Sequence, residues 1–315
     1  MNRKIFVTAI MSNDALSILS DFEVLLEKAS DEKLSQCEVL IAWPSRVEKD
    51  LLRKMKSLKM IQTLSAGVDG LAFDLVPIGV QVYSNAGAFT GPVAEHAWGI
   101  LLGAAKGLHA RNQKLVPRKL SGGVLLVLGC GSIGSEIARL SKSMGMRTIG
   151  VSRSFRVPGN FDETYGTGEL SGVIGRADAI AIALPLTDLT RELVDYEMLM
   201  RTKEHVTVVN VGRGEIVSEE GLIAWLYERP ESRYTTDVFW KRNTKESFET
   251  DAWGLSNFSG TLHVSGAPLG DKLELPLLEA AKNVRRFLIT GVALNRIEPK
   301  EYLQLSDAKH RTKKP

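Results

Sequence analysis

The sequence is short of several things, and each shortage closes a class of function. Only two of 315 residues are cysteine, Cys37 and Cys130, too few for a disulfide framework. Charge of one sign is not in excess. The 40 Lys and Arg against 37 Asp and Glu leave +3, which gives no broad cationic face for a nucleic-acid backbone. No apolar run approaches the ~18–20 residues of a membrane span. The longest, at 179–186, has the length of a buried strand. The N-terminus, MNRKIFVTAI, enters a strand-like stretch without a secretory leader, so a cytoplasmic protein is expected. No His, Cys and acidic cluster has the spacing of metal ligands, so no metal is expected. Short repeats and low-complexity tracts are lacking too. At 44% hydrophobic and 24% charged, the chain reads as an ordinary α/β protein with room for about two domains.

Apolar runs alternate with polar helical stretches. KIFVTA (4–9), EVLIAW (38–43), MIQTLSAG (60–67) and QVYSNAG (81–87) form one set. GVLLVLGCG (123–131), RTIGVS (147–152), DAIAIALP (178–185), VTVVNVG (206–212) and SRYTTDVF (232–239) form a second. Repeated strand–helix–strand units imply parallel sheets with crossovers, hence two doubly wound domains. Residues 93–109 read as a largely buried helix, and 109–123, with Pro117 and paired glycines, as a linker. Residues 275–290 read as an amphipathic helix, and the basic tail 305–315 as a frayed end.

GCGSIG (129–134) follows the strongest apolar strand and precedes a helical pattern, the context of a dinucleotide fingerprint. Gly129 permits the turn, Gly131 lets backbone approach a pyrophosphate, and Gly134 lets helix pack on strand. The next strand ends in Ser152, Arg153 and Ser154, with no carboxylate for a ribose 2′-hydroxyl. Arg and Ser suit a 2′-phosphate, so NADP is expected ahead of NAD.

Three later strand ends carry chemistry: Arg213 on a glycine-flanked turn, Asp237 in TDVF, and His263 in TLHVSG. Hydride transfer to a 2-oxo acid needs a cation for the carboxylate and an acid for the developing alkoxide. Arg213 and His263 fit those needs. Taken singly, each also fits an ion-paired turn residue or a surface histidine.

The order and spacing of SAGVDG (65–70), NAGAFTGPVAEHAWGILL (85–102), GCGSIG, LPLTDLTRELV (184–194), VNVGRGEIV (209–217), DVF and LHVSG is far more specific. Over nearly its whole length the chain resembles the D-isomer-specific 2-hydroxyacid dehydrogenases. It is most similar to short archaeal members described as glycerate, phosphoglycerate or formate dehydrogenases. The resemblance implies a Rossmann cofactor domain (92–269) inserted into a flavodoxin-like substrate domain (1–91 and 270–315). It implies a homodimer through the helix beginning near Val93. Arg213 would bind the substrate carboxylate and polarise the 2-oxo group, with His263 as acid in reduction and base in oxidation. Backbone at Ala66, Gly67 and Val68 would hold the carboxylate from the other domain, with Asp69 bracing that loop. Ser132 and Ile133 would lie on the pyrophosphate. Asp237 would meet the nicotinamide carboxamide, and Leu184, Pro185, Val211, Gly212, His263 and Gly266 would line the cofactor. The substrate would be a small 2-oxo acid such as glyoxylate or hydroxypyruvate. A formate dehydrogenase of this fold pairs its histidine with glutamine, and none stands between Asp237 and His263. No regulatory domain is expected beyond the last helix.

One departure stands out. The family places a glutamate five residues beyond the strand-end aspartate, and here that residue is Arg242. An arginine beside His263 would disfavour the imidazolium. Glu246 and Glu249 share the loop and could take the place, but both read as solvated charges. A second reading follows, a nucleotide-sensing binding protein of the same fold with little turnover.

Overall fold

The computed structural model describes residues 3–26, 28–109, 115–243, 245–266 and 274–302. The chain divides into two compact units, Met1–Phe89 with Pro268–Pro315, and Thr90–Ala267. The basic tail, the middle of the expected linker (110–114) and the expected boundary at 269–270 lie outside the described residues.

The first unit holds strands β1 (Lys4–Val7), β2 (Glu23–Leu26), β3 (Cys37–Ala42), β4 (Met60–Thr63) and β5 (Gln81–Tyr83). All pair in parallel, in the order β2-β1-β3-β4-β5, the flavodoxin-like arrangement. The short helices α1 (Asn13–Ile18), α2 (Asp31–Ser35) and α3 (Lys49–Lys54) make the crossovers. β3 is buried at every residue except Glu38, as expected of a strand covered on both faces. The last helix, α9 (Glu274–Thr290), closes the core. Its stripe of Leu277, Ala280, Ala281, Val284, Phe287 and Leu288 packs on Ile5, Val7, Val39, Ile41 and Met60. Asn283 on that stripe is polar and matched: it donates to Gln62 Oε1 at 2.7 Å and to the Leu294 carbonyl at 3.0 Å.

The second unit opens with α4 (Thr90–Lys106). A seven-stranded parallel sheet follows: β6 (Val124–Leu128), β7 (Arg147–Val151), β8 (Glu163–Tyr165), β9 (Ala179–Ile182), β10 (Thr207–Asn210), β11 (Arg233–Thr236) and β14 (Phe258–Gly260). A two-stranded ribbon, β12 (Lys241–Arg242) and β13 (Lys245–Glu246), lies between the last two in sequence. The helices are α5 (Ser132–Ser143), α6 (Leu170–Val173), α7 (Tyr196–Met200) and α8 (Glu219–Glu228). The order β14-β11-β10-β9-β6-β7-β8 reverses direction between β6 and β9, which opens a crevice at the carboxyl ends of those strands. Arg233 is wholly enclosed yet satisfied. It donates to the Ala104 and Ala105 carbonyls at the end of α4, and to the Val116 carbonyl. Burial beside it lowers the Arg118 guanidinium to about 10. Among the described residues no helix is long and apolar enough to cross a membrane.

Two doubly wound sheets are therefore present, as the alternation of runs implied. Three of the four edge strands of these sheets, β2, β8 and β14, carry no long apolar run, because an edge position leaves them partly solvated.

Candidate active site

Backbone hydrogen bonds gather the strand ends of the second unit side by side. Gly129 N–H donates to Val151, Ala183 to Leu128, Val211 to Ile182 and Asp237 to Asn210, all at 2.8–3.0 Å. Gly129, Leu184, Pro185, Val211, Gly212 and Asp237 thus share the carboxyl rim of one sheet, the place where such folds bind ligands.

The three fingerprint glycines have different reasons. Gly129 sits at φ +93°, and a Cβ there would strike the Ala183 carbonyl at 2.7 Å. A Cβ on Gly134 would lie 1.9 Å from the Gly129 carbonyl, so the helix could not pack on its strand. Gly131 has no such neighbour, with none of the described residues within 4 Å of its Cβ position. Packing among the described residues does not demand that glycine, whereas a close-lying phosphate would. Helix α5 begins there without a side-chain cap, leaving the N–H groups of Ser132 and Ile133 for an anion. These residues fit a dinucleotide. Burial pushes the Cys130 thiol up to about 12, so it is an inert packing group within the loop.

Ser152, Arg153 and Ser154 follow β7, with Ser154 N–H on Ser152 Oγ at 3.4 Å. The Arg156 N–H donates to the Cys130 carbonyl at 2.9 Å, tying this segment to the fingerprint loop.

Arg213 is presented by a clamp that sequence reasoning missed. Asn210 Oδ1 accepts from Gly212 N–H at 3.0 Å, and Asn210 Nδ2 donates to the Arg213 carbonyl at 2.9 Å. The guanidinium donates back to the Gly212 carbonyl at 2.7 Å. A Cβ on Gly214 would lie 2.3 Å from the Phe239 carbonyl carbon, so this glycine lets the Arg213 loop rest on the Phe239–Trp240 peptide. Gly214→Ala is expected to destabilise the fold by roughly 1–3 kcal/mol through overpacking, read as a lower midpoint in urea.

His263 differs from expectation. Arg242 is not beside it: the guanidinium pairs with Glu219 at the start of α8, at 2.7 Å. The carboxylate of Glu246 occupies the place instead. Its Oε2 lies 2.5 Å from His263 Nδ1, and its Oε1 accepts from the Phe239 N–H at 2.7 Å. The ribbon explains the relocation. Lys241 pairs with Glu246 across β12 and β13, and Asn243 takes φ +59° in the turn between them. The chain reverses after Arg242, so a residue four further on returns to the imidazole. Glu249 is exposed, as read. The motif KRNTKE, with asparagine between charged residues, was the available signal.

Asp237 has a bracing task in addition to the role inferred for it. Its side chain is wholly buried. It accepts from Thr261 Oγ1 at 2.6 Å and from the N–H groups of Val264 and Ser265 at 3.0 and 2.9 Å. Ser265 is buried, and Gly266 follows it in the same turn.

Ala66, Gly67 and Val68 belong to the other unit, in the loop after β4. That loop is held by Ser65 Oγ on the Gly67 carbonyl at 2.7 Å and by Asn85 N–H on the Ser65 carbonyl at 3.0 Å. Among the described residues no group of three His, Cys, Asp or Glu could hold a metal ion.

Comparison with known proteins identifies the family. A profile of the family described as "D-isomer specific 2-hydroxyacid dehydrogenase, NAD binding domain" matches residues 83–265. The chain is 27% identical to the glyoxylate reductase of Aeropyrum pernix, covering 90% of this chain and 92% of that one. It is 29% identical to the D-3-phosphoglycerate dehydrogenase of Methanocaldococcus jannaschii over 93% of this chain, which spans 59% of that longer protein. A solved structure from Pyrobaculum aerophilum, provisionally described as a formate dehydrogenase, superposes with TM-score 0.81 at 28% identity, over 96% of this chain and all of that one. The chain belongs to the D-isomer specific 2-hydroxyacid dehydrogenase family and is an oxidoreductase that works with a nicotinamide dinucleotide.

Proposed function

We propose that this protein is an NADP-preferring reductase of small 2-oxo acids, of the glyoxylate or hydroxypyruvate type. The observation that carries the reading is the Glu246–His263 pair, at 2.5 Å, in a chain whose sequence lacks the family's glutamate at its usual place. A carboxylate on Nδ1 fixes the tautomer and leaves Nε2 as the working nitrogen. In reduction the imidazolium Nε2–H gives its proton to the oxygen that becomes the hydroxyl. In oxidation the neutral Nε2 takes it back. The bound dinucleotide supplies or accepts the hydride. Arg213 holds the substrate carboxylate and polarises the 2-oxo group. The binding-protein reading rested on Arg242 facing His263, and Arg242 faces Glu219.

The NADP preference rests on Ser152, Arg153 and Ser154, a strand end without Asp or Glu in its sequence, where a 2′-phosphate gains charge-assisted hydrogen bonds. Arg153→Ala is expected to weaken NADPH roughly tenfold and NADH within about twofold, since about 1.5–3 kcal/mol attends a charged hydrogen bond. Fluorescence titration reads both constants, and equal losses would remove the assignment. A homodimer through α4 completes the reading. Its Gly99 and Gly103 leave Cβ positions with none of the described residues within 4 Å, small-residue surface that a second copy would cover. Sedimentation should give twice the chain mass.

The function is tested by product analysis. NADPH and hydroxypyruvate should yield D-glycerate in step with NADP. Failure to form a D-2-hydroxy acid from this substrate or glyoxylate would sink the reading.

A further inference from the structure

His263 holds a backbone conformation that its residue type adopts infrequently. Its φ is +52°, in the left-handed region. Such strain persists only where neighbours over-determine it. Those neighbours are identifiable here. The two peptide N–H groups that follow the histidine, of Val264 and Ser265, both end on Asp237. The hydroxyl of Thr261, two residues before it, ends there too. Thr261 itself is fixed at its backbone, where its N–H donates to the Thr236 carbonyl at 2.9 Å.

The bonds continue outward to α4. His96 Nε2 lies 2.7 Å from Thr261 Oγ1 and 3.6 Å from Asp237 Oδ1. A threonine hydroxyl has one proton, and the carboxylate takes it. Thr261 Oγ1 therefore accepts from His96, which carries a proton on Nε2. The path runs from α4 through Thr261 and Asp237 to both peptides after His263. It is separate from the Glu246 contact, which holds the ring rather than the backbone.

We propose that His96 and Thr261 are positioning residues for the reaction, holding the 261–265 turn in the strained form that aims the His263 imidazole. The proposal rests on the reading of His263 as the acid–base group. Without the Thr261 hydroxyl, Asp237 Oδ1 and His96 Nε2 lose their shared partner and the turn loses one of its three ties to Asp237. Relaxation by a few tenths of an ångström to one ångström moves the ring off its line of attack.

The test compares Thr261→Val, Thr261→Ser, His96→Leu and His96→Gln. Thr261→Val should lower kcat for 2-oxo acid reduction roughly tenfold, with KM and the NADPH dissociation constant within about twofold. Thr261→Ser and His96→Gln, which keep the hydrogen bonds, should stay near the wild type. His96→Leu should be slow alone and add nothing in the Thr261→Val background. A crystal structure of Thr261→Val should show His263 outside the left-handed region, a readout that needs no turnover. If the wild type reduces no 2-oxo acid, the functional reading fails while the backbone readout still decides the positioning. Should Thr261→Val not fold, the His96 pair carries the same comparison. The proposal is overturned if kcat is unchanged with φ still positive, if Thr261→Ser is as slow as Thr261→Val, or if the loss falls on cofactor affinity instead of kcat.

Discussion

Replacing His263 by asparagine should lower kcat for 2-oxo acid reduction by ~10²–10⁴-fold, the usual worth of a positioned acid–base group. Asparagine is the informative choice because it tolerates the left-handed backbone that His263 occupies, at φ +52°. The turn tied to Asp237 is then preserved, and what is removed is the proton. Asparagine can still accept from a neighbour, but it cannot protonate an alkoxide near neutral pH. Cofactor affinity should be nearly unchanged, because the proposed dinucleotide site is the Gly129–Gly134 loop and the rim around Leu184 and Val211. Steady-state rates and a fluorescence titration on the same sample separate the two. A kcat within a few-fold of the wild type would mean that the proton comes from elsewhere.

Glu246→Gln should slow reduction at neutral pH by ~10–100-fold, the scale on which partners of a working histidine act. Glutamine keeps the length and can still accept from the Phe239 N–H, so the loss isolates the charge. The sign follows from which form each direction uses. Reduction uses the imidazolium, whose Nδ1–H the carboxylate accepts. Oxidation of the hydroxy acid uses neutral imidazole and should suffer less. Glu249→Gln is the control, since Glu249 is exposed in the same segment. Equal effects of the two substitutions would show that Glu246 is not the partner.

Much of this was legible in the sequence, for physical reasons that differ by element. β6 and β9 are buried along almost their whole length, so they stand out as apolar runs. GCGSIG is readable because a tight turn, a close phosphate and a close helix each demand glycine at a fixed offset. Arg213 and His263 are readable from their place after strand ends. The ribbon is not, because its two strands are two residues each and all four are charged. Counting five residues along the chain from Asp237 therefore reaches Arg242, while the fold brings Glu246 to the imidazole. The clamp at Asn210 and the path through Thr261 and His96 escape for a related reason. They join residues by side chain–backbone and side chain–side chain bonds over spacings that no periodicity marks, up to 165 residues apart for His96 and Thr261.

His263 has a carboxylate partner although Arg242 stands where the family keeps its glutamate. The kcat of Glu246→Gln, set beside that of Glu249→Gln and the unmodified protein, tests this most directly. With Glu246 on Nδ1, Glu246→Gln should lose ~10–100-fold in kcat for 2-oxo acid reduction while Glu249→Gln keeps the full rate. Equal kcat values for the two variants would contradict the claim and leave His263 without its partner.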